Sequence, residues 1–238
     1  MGTSIFQWNV NSLMAYINEF KHLLDTLPSL PDIICIQETF LKSTLEINLH
    51  GYTALRCDGK NGRGGVATFI RNGTIYSDIQ TYETVEGLSV QIETLSGPVR
   101  VFNFYISPTS YFDESLFLQI FDQERIIVCG DFNAKSSLWG SPKADNRGKS
   151  LENILQKTNV VVLNTGSPTR YFRQGCSHID LSFASPNFAN LTNWEVLDHT
   201  CGSDHNIVHL DMSMSVCTEN TRRPRWIYSK ANWPLFSS

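Results

Sequence analysis

The chain has 238 residues, 41% of them apolar and 18% charged, with a formal net charge of -4. That length suits one large α/β domain with a sizeable core, and the acidic sum excludes a surface that is basic all over. No apolar run reaches the roughly 18 residues that span a bilayer, and no charged start precedes an apolar signal region, so an intracellular protein off the membrane is expected.

Residues 4–10 read as a strand, and Ser12 as the cap of a helix. Its stripe is Leu13, Ile17, Phe20, Leu24 and Leu27, three or four residues apart. Pro28 and Pro31 end it. Residues 32–37 form a buried-type strand. Residues 66–71 form another, entered through Gly62-Arg63-Gly64-Gly65. Leu88, Val90, Ile92 and Thr94 alternate with Ser89, Gln91 and Glu93, the pattern of a half-exposed strand. Ser96-Gly97-Pro98 then turns it into a strand over 99–106, giving a hairpin.

A short helix is expected over 114–121, a buried strand over 126–130, and a helix over 148–158 with Leu151, Ile154 and Leu155 inward. Strands over 160–163, 178–184, 194–197 and 207–210 complete the set. Hairpins mix with helical crossovers. The fold class is α/β, two mixed β-sheets packed face to face with helices outside. After Leu210 the periodicity fades. Arg222-Arg223-Pro224-Arg225 and the aromatic residues Trp226, Tyr228, Trp233 and Phe236 read as a linker-like tail. The domain is therefore placed at 1–211 and the tail at 212–238.

None of the six cysteines forms a C-x-x-C pair, which speaks against zinc. Cys35 and Cys129 sit in apolar runs and read as reduced core residues. Cys176 and Cys201 flank the candidate site. Spacing alone leaves a disulfide open, and a reduced protein is the better expectation.

Polar residues gather where strands end or begin. Trp8-Asn9-Val10-Asn11 closes the first strand, Gln37-Glu38-Thr39 the second, and Gly130-Asp131-Phe132-Asn133 the strand over 126–130. Ser203-Asp204-His205 precedes the last. Such ends are where α/β proteins assemble sites. Carboxylates, amides and one histidine point to oxygen-ligated Mg²⁺ and phosphate chemistry. Lys60, Arg63, Lys135, Lys143, Arg147, Lys149, Arg170 and Arg173 fall in loops beside these motifs, as nucleic-acid contacts or as solvated loop charge.

Together with Asn103-Phe104-Tyr105 and His178-Ile179-Asp180, these motifs resemble the endonuclease/exonuclease/phosphatase superfamily, in collinear order over residues 4–211. Each short motif is weak alone; six in order are specific. Within the superfamily the chain is most similar to the apurinic-like endonuclease domain of LINE-type (non-LTR, jockey-like) retrotransposons. Gly62-Arg63-Gly64-Gly65-Val66-Ala67 and Asn164-Thr165-Gly166-Ser167-Pro168-Thr169 carry that likeness, with Lys230-Ala231-Asn232-Trp233 resembling a link toward a reverse transcriptase. The resemblance implies a four-layer sandwich of the DNase/AP-endonuclease kind. It implies an Mg²⁺-dependent enzyme, with Mn²⁺ able to substitute, that nicks one strand of double-stranded DNA in the nucleus. The 3′-hydroxyl left behind would prime reverse transcription by a reverse transcriptase domain of the same polyprotein.

The same resemblance implies roles. Glu38 is the expected Mg²⁺ ligand, supported by Asn11 where many repair-type relatives carry Asp, with Asp204 at a second metal position or in a hydrogen bond across the site. Asn9 orients the catalytic carboxylates. Asp131 orients or deprotonates the attacking water. Asn133 lies on the same side if the backbone stays extended, and donates to the scissile phosphate. His205 faces the phosphate, with Asp180 holding its tautomer and favouring its protonated form. The division of acid and base between Asp131 and His205 is open. Ser203 stands behind them. The triplet is no Ser-His-Asp relay, because adjacent residues on an extended segment face opposite ways. Tyr105 donates to the phosphate and Thr169 forms the rim. A hairpin or loop over 169–177 carries Arg170, Tyr171 and Arg173 toward a DNA groove. The competing readings are an abasic-site repair endonuclease, a phosphoinositide-type phosphodiesterase, and an inactive DNA-binding scaffold of the same fold.

Overall fold

The computed structural model describes residues 2–82 and 84–219. The Arg222-Arg223-Pro224-Arg225 run, the tail aromatics and Lys230-Ala231-Asn232-Trp233 lie outside the described residues. The chain begins with β1 (Thr3–Asn9), α1 (Leu13–Thr26), β2 (Ile33–Gln37), β3 (Tyr52–Cys57), β4 (Val66–Arg71), β5 (Tyr76–Tyr82) and β6 (Gly87–Ile92). It continues through β7 (Val99–Tyr105), α2 (Glu114–Phe121), β8 (Ile126–Asp131), α3 (Asn146–Leu155), β9 (Val161–Val162), β10 (Arg170–Phe172) and β11 (Gly175–Ser177). β12 (Asp180–Ala184), α4 (Pro186–Ala189), β13 (Thr192–Val196) and β14 (Val208–Met212) close it.

One six-stranded sheet has the order β13-β14-β1-β2-β4-β3 and the other β5-β6-β7-β8-β12-β9, with β10-β11 as a separate hairpin. β1 pairs parallel with β2, and β7 with β8; the other pairings are antiparallel. A parallel pair needs a long crossover. Helices α1 and α2 supply them, so Asn9, Gln37, Tyr105 and Asp131 all fall at C-terminal strand ends.

Three buried clusters account for four layers. Ile5, Ile33, Val90, Val101 and Ile127 pack between the sheets. Leu13, Ile17 and Phe20 of α1 close over Trp8, Ile36 and Phe69 on one outer face. Phe117 of α2 and Leu151 of α3 close over Phe102, Val128 and Phe183 on the other. Toward the site the inter-sheet layer turns polar. Gln7 donates to the Gly130 carbonyl (3.0 Å) and accepts from Ser182 (2.9 Å). Gln37 donates to Asn103 Oδ1 (2.7 Å), and Asn103 Nδ2 donates to the Ala67 carbonyl (3.0 Å). These partnered groups fix one sheet on the other.

Several expectations are corrected. Ser12 makes no side-chain cap; its φ is 96°. Instead its N–H, and that of Leu13, donate to the Glu38 and Thr39 carbonyls (2.9 and 3.0 Å), so the loop after β2 closes the start of α1. The helix stops at Thr26, before Leu27. α3 starts at Asn146 because Asp145 caps it, accepting from Gly148 N–H at 2.7 Å. β6 is buried on both faces rather than half-exposed, since Tyr82 and Arg100 from its neighbours cover Ser89. β3 and β5 were not expected. β5 is an exposed edge strand that only its pairing with β6 identifies. The boundary expected after residue 211 falls inside β14. Beyond it Met214 is buried, and Val216 and Thr218 bridge to Thr94 and Thr74. No helix among the described residues is long and apolar enough to cross a membrane.

Candidate active site

Register builds the site. Tyr105 lies opposite Asp131 across β7 and β8, and Asp131 opposite Asp180 across β8 and β12. Residues directly opposite project from the same face. Three polar side chains therefore stand in a row on the second sheet. Asn9, which ends β1 of the first sheet, completes the array. Its amide nitrogen donates to Glu38 Oε1 and to Asp131 Oδ2, both at 2.8 Å. Its Oδ1 accepts from the Asn11 N–H at 3.0 Å. One amide thus holds a carboxylate from each sheet.

The histidine arrives from the loop before β14. His205 Nδ1 meets Asp180 Oδ2 at 2.8 Å, with both side chains only 2% exposed. Thr169 donates to the same oxygen at 2.6 Å and accepts from the Asp180 N–H at 3.2 Å. A carboxylate only accepts, so Nδ1 carries the proton and Nε2 faces the site. Ser203 donates to the Asn9 carbonyl (2.8 Å) and accepts from the His205 N–H (3.1 Å). The triplet is therefore a tight bend, not the extended segment expected, and Ser203 ties it to β1.

Asp204 Oδ2 pairs with Arg170 Nε at 2.7 Å, and its Oδ1 lies 4.0 Å from His205 Nε2. Its hydrogen-bond partner is Arg170, from the hairpin, and its Oδ1 is buried without one. The hairpin is stitched to this segment. Tyr171 N–H donates to the Asp204 carbonyl and Asn206 N–H to the Thr169 carbonyl, both at 2.8 Å. Tyr171 and Phe172 are about half exposed (49 and 52%), and Arg173 beside them is exposed. Asn133 departs from expectation. Its φ is 46°, so the chain is not extended there. A turn brings it back instead, its N–H donating to Asp131 Oδ1 (2.9 Å) and its Nδ2 to the Ile106 carbonyl (3.2 Å).

The electrostatics follow from burial and like charge. Burial first, then the Asp180 charge, pushes the Asp131 carboxyl up to about 7. Burial opposes the charge on His205, but Asp180, Asp131 and Asp204 outweigh it and raise the imidazole to about 9. Burial and the nearby Glu38 and Asp131 charges push the Tyr105 phenol up, so it remains a donor. Glu38 and Asn11 sit at positive φ (52 and 46°), backbone that non-glycine residues seldom adopt.

The donor set fits a hard divalent cation. Donor atoms of Asp131, Asp180 and His205 lie within 4.8 Å of one another, but Asp180 and His205 are bonded to each other. Glu38 is half-buried and Asn11 exposed beside it. Mg²⁺ keeps several waters and needs only one or two carboxylates, so a partly open oxygen site suits it. Asp180 Oδ1 is buried without a hydrogen-bond partner.

Two supporting residues carry no sequence signal. Glu86 accepts from the Gly65 N–H (2.6 Å), and the Gly64 and Gly65 carbonyls accept from Phe40 and Thr39 N–H (2.9 and 3.2 Å). A side chain on Gly64 would strike the Glu86 carboxylate, which explains the glycine-rich entry to β4 beside Glu38. Arg147, read as a loop charge, is turned inward onto backbone carbonyls. Lys60, Arg63, Lys135, Lys143 and Lys149 are exposed. None of the six cysteines is in a disulfide.

Residues 99–209 match the endonuclease-reverse transcriptase family model. The RNA-directed DNA polymerase of the transposon X-element of Drosophila melanogaster is 33% identical over 178 residues, 72% of this chain and 19% of that protein. The polymerase of the mobile element jockey of Drosophila funebris is 27% identical over 189 residues, 76% of this chain and 21% of that one. The chain thus spans about a fifth of the length of these relatives. The endonuclease domain of TRAS1, a telomere-specific non-LTR retrotransposon, superposes with a TM-score of 0.73 at 24% identity, covering 89% of this chain and 98% of that one. The catalytic domain of Xenopus laevis APE2 gives 0.72 at 18%, covering 92 and 94%. Residues 99–209 thus carry the match to the endonuclease-reverse transcriptase family, and the chain is a homologue of the jockey and X-element retrotransposon polymerases that shares the fold of the TRAS1 endonuclease domain.

Proposed function

We propose that this domain is a Mg²⁺-dependent endonuclease that nicks one strand of double-stranded DNA in the nucleus. It leaves a 3′-hydroxyl to prime a reverse transcriptase of the same polyprotein. The observation that carries this reading is the meeting of two built pairs: the Asn9-bridged carboxylates Glu38 and Asp131, and the buried His205–Asp180 pair. The names of the homologous polymerases support the link between nicking and DNA synthesis.

Glu38, with Asn11 at the rim, would hold the metal, which when bound supplies Lewis-acid charge at the phosphoryl group. Asp131, raised to about 7, is a competent base for the attacking water near neutral pH. His205, raised to about 9, stays an imidazolium at that pH and directs Nε2 at developing negative charge. This assigns base to Asp131 and electrostatic or acid duty to His205. The Tyr105 hydroxyl and the Asn133 amide are further donors for phosphate oxygens. Thr169 holds Asp180, and the exposed tip with Tyr171, Phe172 and Arg173 meets a DNA groove. Arg170 anchors that hairpin through Asp204.

The test is nicking of intact supercoiled plasmid with Mg²⁺. Wild-type protein should convert it to open circles, and chelation should stop the reaction. Asp131→Ala and His205→Ala should abolish nicking with unchanged circular dichroism; retained activity would refute these roles. Strong preference for an abasic duplex would move the reading to repair. Duplex binding without nicking, in either Mg²⁺ or Mn²⁺, would leave a scaffold.

A further inference from the structure

We propose that Arg147 is the positioning residue that holds the exits of β7 and β8 in working register, acting on Tyr105, Asp131 and Asn133 through backbone carbonyls; its catalytic consequence rests on the nuclease reading above. Arg147 lies in the first turn of α3. Its Nη1 donates to the carbonyls of Ile106 (3.3 Å), Phe132 (3.0 Å) and Asn133 (3.4 Å). Its Nη2 donates to those of Ser107 (2.9 Å), Pro108 (3.2 Å) and Ser110 (3.0 Å). One guanidinium thus bonds the segment just after Tyr105 and the segment just after Asp131.

Both segments have left their sheet, so strand pairing no longer satisfies these carbonyls. A planar fork of donors can serve two segments at once; a lysine ammonium is a single point. The lock continues inward. Ile106 N–H donates to the Asp131 carbonyl (2.9 Å), and the Ile106 carbonyl also accepts from Asn133 Nδ2 (3.2 Å). Moving either segment therefore moves Asp131 and Asn133.

The helix is docked for this purpose. Asp145 accepts from both Gly148 N–H (2.7 Å) and Lys135 N–H (3.2 Å). Gly148 packs so close to the Lys135 carbonyl that a Cβ there would overlap it. With its terminal nitrogens spent on six carbonyls, Arg147 is not a phosphate contact, in contrast to the exposed Lys135, Lys143 and Lys149.

Hydrogen exchange read by mass spectrometry, on the metal-free and DNA-free protein, tests the brace directly. Arg147→Ala should raise exchange over residues 106–111 and 131–134 while β1 and β14 keep wild-type protection. In plasmid nicking, kcat should fall on the order of 100-fold, as for roughly 1 Å of misplacement, with KM for DNA unchanged. Arg147→Lys, which keeps the charge but loses the fork, should fall between wild type and Arg147→Ala in both readouts. Unchanged exchange in those two segments overturns the proposal, as does raised exchange with wild-type kcat. If Arg147→Ala does not fold, Arg147→Lys carries the same exchange test. A wild-type protein that never nicks counts against the nuclease reading alone, and exchange still decides the brace.

Discussion

Asn103 belongs to a motif that marks the family, yet its side chain is 1% exposed and lies between the sheets. Its Nδ2 donates to the carbonyls of Ile36 (3.2 Å) and Ala67 (3.0 Å) and to Thr68 Oγ (3.2 Å), while its Oδ1 accepts from Gln37 (2.7 Å). Asn103→Ala removes this set. Gln37 keeps its bond to the Cys35 carbonyl (3.1 Å), so the loss centres on the two shortest contacts. At ~1 kcal/mol each they account for about 2 kcal/mol, and the space left behind adds about 1 kcal/mol. About 3 kcal/mol is a large part of a typical domain stability of ~5–15 kcal/mol. In a domain of this size it lowers Tm by roughly 6–12 °C. Urea unfolding should show a lower midpoint with an unchanged slope. Asn103→Leu, which restores volume but not polarity, should recover at most the cavity part. A loss below about 1 kcal/mol for Asn103→Ala would refute the claim that this polar layer fixes the sheets.

Three further outcomes follow from named contacts. Gly130→Ala places a Cβ against the Phe104 backbone carbonyl, which cannot yield as a side chain would; about 1–3 kcal/mol of destabilisation and loss of nicking are expected, and wild-type melting would contradict it. Asp113 caps α2, and hydrogen bonds from Ser115 and the Leu116 N–H hold its carboxyl below the ordinary value. A depressed carboxyl stabilises the fold above its unfolded pKa and loses that effect as pH falls through the folded one. Asp113→Ala should cost about 1 kcal/mol at neutral pH, and the gap from wild type should close below the usual carboxylate range; a gap independent of pH would count against the cap. Arg173→Ala should weaken duplex binding and reduce its salt slope by roughly one, as for one lost phosphate contact, whereas an unchanged slope would take Arg173 off the DNA path.

Much of this was legible in the chain itself. The stripe Leu13, Ile17 and Phe20 faces the core, and the apolar runs ending in Glu38 and Asp131 are central strands. Such patterns record burial against one neighbouring face, which is local information. The motif order named the family, because strand ends carry the chemistry in this fold. Tertiary structure alone decided the rest. Tyr105, Asp131 and Asp180 form a row through cross-strand register, which depends on residues far apart in the chain. Asn133 reaches Asp131 through a turn at positive φ rather than through an extended strand. Asp204 goes to Arg170 because the hairpin folds back onto its segment. Arg147 reads as one more loop charge because its partners are backbone carbonyls, which every residue has and no local pattern marks.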